Sequence, residues 1–164
     1  IIFLLASFSF ANAQTTKTLL DSALVKKEQL KFSEGIKLCE QVIALDSTLT
    51  EAYFYKAGFH TALINKRNAR ADYDNYKAAI TAYDQVIELN PKHAEAFFFR
   101  GGAHDAMGFL NEALLEYMNS VAIDENQPEV YNSIGICHAK KRNIELAMSY
   151  FEKATTFLEY IFSS

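Results

Sequence analysis

The chain has 164 residues, of which 50% are hydrophobic, 22% charged and 13% aromatic, a composition that excludes a disordered or collagen-like protein. Sixteen Lys and Arg against twenty Asp and Glu leave a net charge of −4, which speaks against a generally basic nucleic-acid binder. Two Pro and six Gly argue against a loop-rich or all-β chain; the length suits one compact domain or a short repeat array, with no need of a disulfide framework.

The first element is apolar. Ile1 to Phe10 is broken only by Ser7 and Ser9 and leads into Ala11-Asn12-Ala13-Gln14. A short apolar run ending in a small-x-small triplet reads as the core and cleavage site of a secretory signal peptide. It is too short to span a bilayer, which takes about 20 apolar residues. No Met and no basic residue precedes Lys17, and no Cys directly follows the run. The expectation is therefore an exported protein whose leader, residues 1–13, lacks its first few residues. The mature chain, 14–164, would begin at Gln14 without a lipid anchor.

The remainder repeats. Ala94-Glu95-Ala96-Phe97-Phe98-Phe99-Arg100-Gly101-Gly102-Ala103-His104 matches Thr50-Glu51-Ala52-Tyr53-Phe54-Tyr55-Lys56-Ala57-Gly58-Phe59-His60 in chemistry at almost every place. Pro128-Glu129-Val130-Tyr131-Asn132-Ser133-Ile134-Gly135-Ile136-Cys137-His138 follows Ala94 by 34 residues. The second halves agree as well, Asn111–Tyr117 with Glu145–Phe151. Four units result: 16–49, 50–93, 94–127 and 128–161. Within each half-unit, apolar residues recur at three- and four-residue spacing, as in Ile36, Cys39, Val42 and Ile43, the stripe of an amphipathic helix. The step from Thr50 to Ala94 is 44 residues, so the second unit holds ten extra, near 63–74. That stretch has no Pro or Gly, and the expectation is that both helices of the unit lengthen by about one turn at 1.5 Å per residue.

The spacing of aromatic and small residues resembles the tetratricopeptide repeat family. The third unit carries Phe97, Gly101, Ala113, Tyr117 and Ser120, with Glu125 where the family has Pro. The fourth carries Tyr131, Gly135, Ala147, Phe151 and Ala154. The second carries Tyr53, Ala57, Ala79, Tyr83, Val86 and Pro91. The first is weakest, with Leu19, Ala23, Gly35, Cys39, Val42 and Ser47. The resemblance implies an all-α fold, an α-solenoid of four helix–turn–helix units forming a right-handed superhelix, and a non-catalytic scaffold that binds a peptide or partner helix in its concave groove. No unit buries its apolar face alone, so stacking is obligatory.

By the same resemblance the groove-facing positions are Leu20, Leu24 and Lys27; Phe54, Gly58 and Thr61; Phe98, Gly102 and Asp105; Asn132, Ile136 and Ala139. Phe54 and Phe98 occupy matching places with a glycine one turn on. Two placements suit them: anchors for an apolar side chain of a bound peptide, or packing against the next unit. Asn132 is placed to hydrogen-bond a peptide backbone. The Lys/Arg clamp that grips chaperone tails in some family members is absent at these positions. A second surface is basic, with Lys66, Arg67 and Arg70 at one turn and Lys140, Lys141 and Arg142 at another. Such runs are more often solvated turns.

Other chemistry finds little support. His60, His104 and His138 form a row, but helices about 8–10 Å apart do not bring three rings to about 2 Å from one ion. A metal or small-molecule site on that row remains the runner-up from another functional class. Asp72-x-Asp74 lacks the glycine and the bidentate Glu of a calcium loop. Cys39 and Cys137 stand two units apart, roughly 20 Å or more at that helix spacing, beyond the about 7 Å of a disulfide. No phosphate loop or nucleophile motif occurs, so neither catalysis nor a cofactor is expected. No nucleic acid and no stable membrane insertion after leader cleavage are expected either. The chain ends on Phe157, Leu158, Ile161 and Phe162, an apolar face larger than monomers usually leave bare. Three outcomes satisfy it: further chain, docking onto a second copy or another protein in a self-assembling structural role, or folding back onto Tyr150 and Phe151. The leader and compact size point to a periplasmic location.

Overall fold

The computed structural model describes the backbone of residues 2–163 and the side chains of residues 12–156. Eight helices follow one another: α1 (Ile2–Glu28), α2 (Phe32–Leu45), α3 (Thr50–Ala62), α4 (Ala69–Leu89), α5 (Ala94–Ala106), α6 (Leu110–Ile123), α7 (Pro128–Lys140) and α8 (Ile144–Ser163). Among the described residues there is no strand. Consecutive helices pack pairwise as hairpins, α1 on α2, α3 on α4, α5 on α6 and α7 on α8. The fold is thus all-α and solenoid in class, as the period of the sequence implies. The chain divides into two compact units, Ile1–Leu89 and Asn90–Ser164. In the first, α1 continues without a break through Ala13 and Gln14, and Thr16 Oγ1 donates to the Ala13 carbonyl.

The turns explain where the helices stop. Between hairpins, the side chains of Asp46, Asn90 and Asp124 accept hydrogen bonds from the backbone N–H two residues on, at 2.9, 3.1 and 3.0 Å. This Asx turn is a local alternative to helix that short polar side chains offer. Within three hairpins the chain reverses through a left-handed residue: Leu30 (φ 58), Gly108 (φ 85) and Arg142 (φ 63). The next N–H then reaches back to the carbonyl five residues earlier, Lys31 to Lys26, Phe109 to His104 and Asn143 to His138, each at 2.9 Å. These bonds satisfy the carbonyls that a helix end leaves open.

The hairpin of α3 and α4 closes differently, and here the expectation of two lengthened helices fails. α3 has 13 residues, the same as α5 and α7. α4 has 21 against the 14 of α2 and α6. Seven of the ten extra residues therefore lengthen α4 alone, and the other three lengthen the turn. Two asparagines set this division. Asn65 Oδ1 accepts from Arg67 N–H at 2.9 Å, holding the turn out of helix. Asn68 Oδ1 accepts from Ala71 N–H at 3.2 Å, the bond of an N-cap. The buried Asp72 side chain accepts from Asn65 N–H at 3.2 Å, so Asp72 serves the turn.

Each unit has its own core. In the first, Ala23, Cys39 and Phe59 are buried, flanked by Phe32, Ile36, Leu38 and Tyr55. Phe59 reaches the α2 backbone because position 35 is glycine: a Cβ there would lie 2.6 Å from the ring. Burying such a ring contributes about 1.5–3 kcal/mol. In the second, Ala113, Tyr117, Val130, Tyr131, Ile134, Cys137 and Ala154 form the core. Glycines again permit close approach, Gly101 under Tyr117 and Gly135 under Phe151. Where the family pattern has Pro, this unit has a polar lock. The buried Gln127 donates to the Asp124 carbonyl at 2.7 Å and accepts from Ser120 at 3.2 Å. Ser120 Oγ also lies 2.9 Å from the Ala94 carbonyl.

Candidate partner-binding faces

In the second unit the expected groove residues lie on α5 and α7. Phe98 is half-buried: it packs against the core cluster and contacts the rings of Phe99 and Tyr117 at 5.1 and 5.9 Å. Phe98 thus packs in part against the core, and the rest of its surface is exposed. Asn132 and Ile136 are exposed on α7. Gly102 leaves a gap, since a Cβ there would meet only the Tyr117 hydroxyl, at 3.9 Å.

Asp105 is committed to a partner that the sequence reading put elsewhere. Both carboxylate oxygens accept from Lys140 Nζ, at 2.6 and 2.7 Å. Cys137 Sγ lies 3.7 Å from the same carboxylate. Lys140 therefore ties α7 to α5 and does not stand with the basic turn. Lys141 hydrogen-bonds to Asn111, so two of the three cations of that turn are engaged.

Beneath this pair sits Tyr117, whose hydroxyl reaches Ser133. Burial pushes its phenol well above the usual range, and the Asp105 charge adds to the effect. Cys137 is likewise pushed up to about 11, by burial first and then by Asp105. Tyr117 and Cys137 therefore stay protonated at neutral pH. With Ser133 they form an uncharged polar floor beside Phe98. The sequence reading missed that Cys137 and Lys140 meet Asp105 and that Tyr117 reaches Ser133.

In the first unit the matching face is carried by α1 and α3. Leu20 and Leu24 are half-buried on α1. Phe54 is half-buried on α3, edge-on to Tyr55 at 6.2 Å and to Tyr83 at 5.9 Å. Thr61 is exposed and bonds to the Ala57 carbonyl at 3.0 Å, while the Tyr83 hydroxyl interacts with it. Burial pushes Tyr83 up to about 12. Gly58 is open, with no atom within 4 Å of where its Cβ would be.

The histidine row is absorbed by packing. His60 Nδ1 lies 3.0 Å from Asn75 Oδ1. His104 meets Phe109 edge-on at 6.2 Å, and His138 stacks on Tyr150 at 5.5 Å. Among the described residues no group of three His, Cys, Asp or Glu side chains is arranged to hold a metal ion, and no helix is long and apolar enough to cross a membrane. Cys39 and Cys137 are free, buried thiols. The apolar C-terminal residues Phe157, Leu158, Ile161 and Phe162 lie outside the residues whose side chains are described.

A family model of the tetratricopeptide repeat matches residues 61–93 and 128–157. No curated protein matches the sequence. Among solved structures the chain is similar to MamA, at 24% identity over 97% of this chain and 87% of that one, with a TM-score of 0.83. It is similar also to residues 41 to the end of MamA from Desulfovibrio magneticus RS-1, at 16% identity, 88% and 76% coverage and a TM-score of 0.77. A third likeness is to the first TPR of Spaghetti (RPAP3) bound to HSP90 peptide SRMEEVD, at 20% identity, 83% and 94% coverage and a TM-score of 0.66. Residues 61–93 and 128–157 thus match tetratricopeptide repeats, and the same hairpin architecture runs through the described residues.

Proposed function

We propose that this protein is a non-catalytic interaction module that binds a peptide or partner helix on the odd-numbered helices of its units. The observation that carries the reading is the α5/α7 face. There the half-buried Phe98 and the gap at Gly102 lie beside Tyr117, among neutral hydrogen-bonding groups, with Ile136 exposed on α7. An apolar side chain fits that gap, and Asn132, exposed on α7, bonds the ligand backbone. In the first unit Phe54, beside Gly58 and Thr61, offers a similar half-buried ring, with Leu20 and Leu24 on α1. The fold shared with a peptide-bound TPR supports this class of ligand. The missing cationic clamp argues for an apolar-anchored ligand and against a terminal carboxylate.

We further propose that the protein acts after export, in the periplasm, on the strength of the apolar leader. Intact-mass measurement of the secreted protein tests this; a chain retaining residues 1–13 would refute it.

Capture from a cross-linked cell envelope tests the binding face, using the chain and a Phe54→Ser, Phe98→Ser variant shown to be folded by circular dichroism. A captured protein is then titrated against both. Loss of one anchor of hot-spot quality weakens binding by about 30-fold, the equivalent of 2 kcal/mol. Equal affinity for both would refute the assignment to these faces.

A further inference from the structure

Two turns inside the first unit carry exposed side chains where the local backbone favours others. In the turn between α1 and α2, Leu30 is 74% exposed, more than any other large apolar side chain among the described residues. It is also left-handed, at φ 58. The turn between α5 and α6 meets the same backbone demand with Gly108, the residue that suits it. Leucine there holds an apolar side chain out in water at a conformational cost. In the turn between α3 and α4, Lys66 is left-handed at φ 59, and Lys66, Arg67 and Arg70 are all exposed. These cations crowd the N-terminus of α4, where the helix dipole favours acids. The acid of that first turn, Asp72, is buried and bonded to Asn65.

The two turns share an edge. Successive helices of the unit pack on one another, α1 on α2, α2 on α3 and α3 on α4, and their direction alternates, so both turns fall at the same end. The seven residues by which α4 exceeds α2 and α6 carry Arg70 and Tyr73. Tyr73 is 49% exposed, with Lys77 Nζ 5.9 Å from its ring centre. On this edge Lys27, Lys31, Lys66, Arg67 and Arg70 are exposed and make no ion pair among the described residues. Glu34 is taken by Lys26 at 2.7 Å, which leaves Glu28 and Asp74 as the exposed carboxylates of the two turns. Five cations less two carboxylates give a local surplus of three positive charges, in a chain whose net charge is −4.

We propose that this edge docks on an anionic lipid surface, Leu30 and Tyr73 entering the headgroup layer and the cations meeting lipid phosphates. Apolar and aromatic side chains flanked by Lys and Arg are the chemistry of an interfacial contact. Leu30 favours lipid over an acidic protein segment, which would answer the charges but leave the leucine in water. The contact goes beyond the peptide-binding reading, whose α5/α7 face shares no residue with this edge.

Co-sedimentation of the full chain with vesicles tests this, comparing equal parts of phosphatidylglycerol and phosphatidylcholine with phosphatidylcholine alone. Binding is expected to the anionic vesicles only, and it should weaken as salt is raised. Leu30→Gly relieves the left-handed backbone, so it should raise the urea midpoint while weakening vesicle binding about tenfold. Lys66→Gln, Arg67→Gln and Arg70→Gln together should weaken it about 100-fold, at about fivefold for each cation. Equal binding to both kinds of vesicle, or variants that bind as the parent does, would assign the binding to the apolar residues 1–13 and overturn the proposal. A chain that leaves anionic vesicles alone would overturn it too, and capture of polyglutamate by that chain would assign the edge to an acidic protein instead.

Discussion

Gly101 and Gly102 are neighbours in the middle of α5, yet replacing each by alanine should move stability in opposite directions. Alanine favours an exposed helix interior over glycine by about 1 kcal/mol. At position 102 nothing opposes that gain, because the nearest atom to a new Cβ is the Tyr117 hydroxyl at 3.9 Å. At position 101 the Cβ would lie 2.7 and 2.8 Å from two ring carbons of Tyr117 and 3.1 Å from Glu116 Cβ. Carbon atoms pack at about 3.5–4.0 Å, so the ring must retreat by close to 1 Å. It is held by the core around it, and Glu116 Cβ is fixed to the α6 backbone. Overpacking of this kind costs about 1–3 kcal/mol. The expected result is Gly102→Ala more stable by about 0.5–1 kcal/mol and Gly101→Ala less stable by up to about 2 kcal/mol after the propensity gain is subtracted. For a chain of this size the two melting temperatures should then differ by up to roughly 8 °C. Thermal and urea unfolding followed by far-ultraviolet circular dichroism measures the difference. Equal shifts of the same sign would refute the close approach of Tyr117 to α5. Gly102→Ala should also lower partner affinity while raising stability, because its methyl group occupies the gap proposed for the ligand.

The left-handed turns yield a second contrast. Leu30→Gly should stabilise by about 0.5–1 kcal/mol, since a left-handed L-residue costs about 1–2 kcal/mol and glycine returns part of that as chain entropy; Gly108→Ala should do the reverse, and urea midpoints read both. Gln127→Ala should cost about 1–3 kcal/mol by leaving the Asp124 carbonyl short of a donor; an unchanged urea midpoint would show that water replaces the lock freely. The thiols predict a pH dependence. Burial raises Cys137 to about 11 and Cys39 to about 12 from 9.0. Above pH 9.0 the unfolded chain loses protons that the folded chain keeps, so their stabilising contribution, complete below that pH, falls as pH rises and is gone above 12. Urea midpoints at pH 8 and 10 should fall less in a Cys39→Ala, Cys137→Ala variant. Rapid alkylation of the native thiols by iodoacetamide at pH 8 would refute their burial.

The hairpins were legible in the sequence because stacking forces the same demand on each unit. An aromatic ring needs a small residue opposite it, and Gly101 with Tyr117 or Gly135 with Phe151 states that demand twice. The lengthened hairpin misled because helix propensity was weighed over its whole extra stretch. Two side chains decided it, Asn65 holding the turn and Asn68 capping α4. Asparagine two and five residues beyond Leu63 was a usable stop-and-start signal. A repeated Asx position, Asp46, Asn90 and Asp124, marks the hairpin boundaries as well as proline does, and it explains how α6 ends without Pro.

The groove was less legible, for a reason that lies in the period itself. Contacts between neighbouring hairpins were not weighed for the charged positions, so Asp105 was placed on the groove and Lys140 in a basic turn. In a stacked array of 34-residue units, a residue meets partners close to one period away. The side-chain contacts between α5/α6 and α7/α8 obey that rule: Asn111 with Lys141, Asp105 with Cys137 and Lys140, Met118 with Tyr150, all separated by 30–35 residues. Opposite charges at that separation on successive odd-numbered helices should therefore be paired before either is assigned to a ligand. Under that rule Asp105 and Lys140 cancel, and the face left for a partner becomes neutral and apolar. The apolar-anchored ligand, and not an anionic one, then follows from the arithmetic of the repeat.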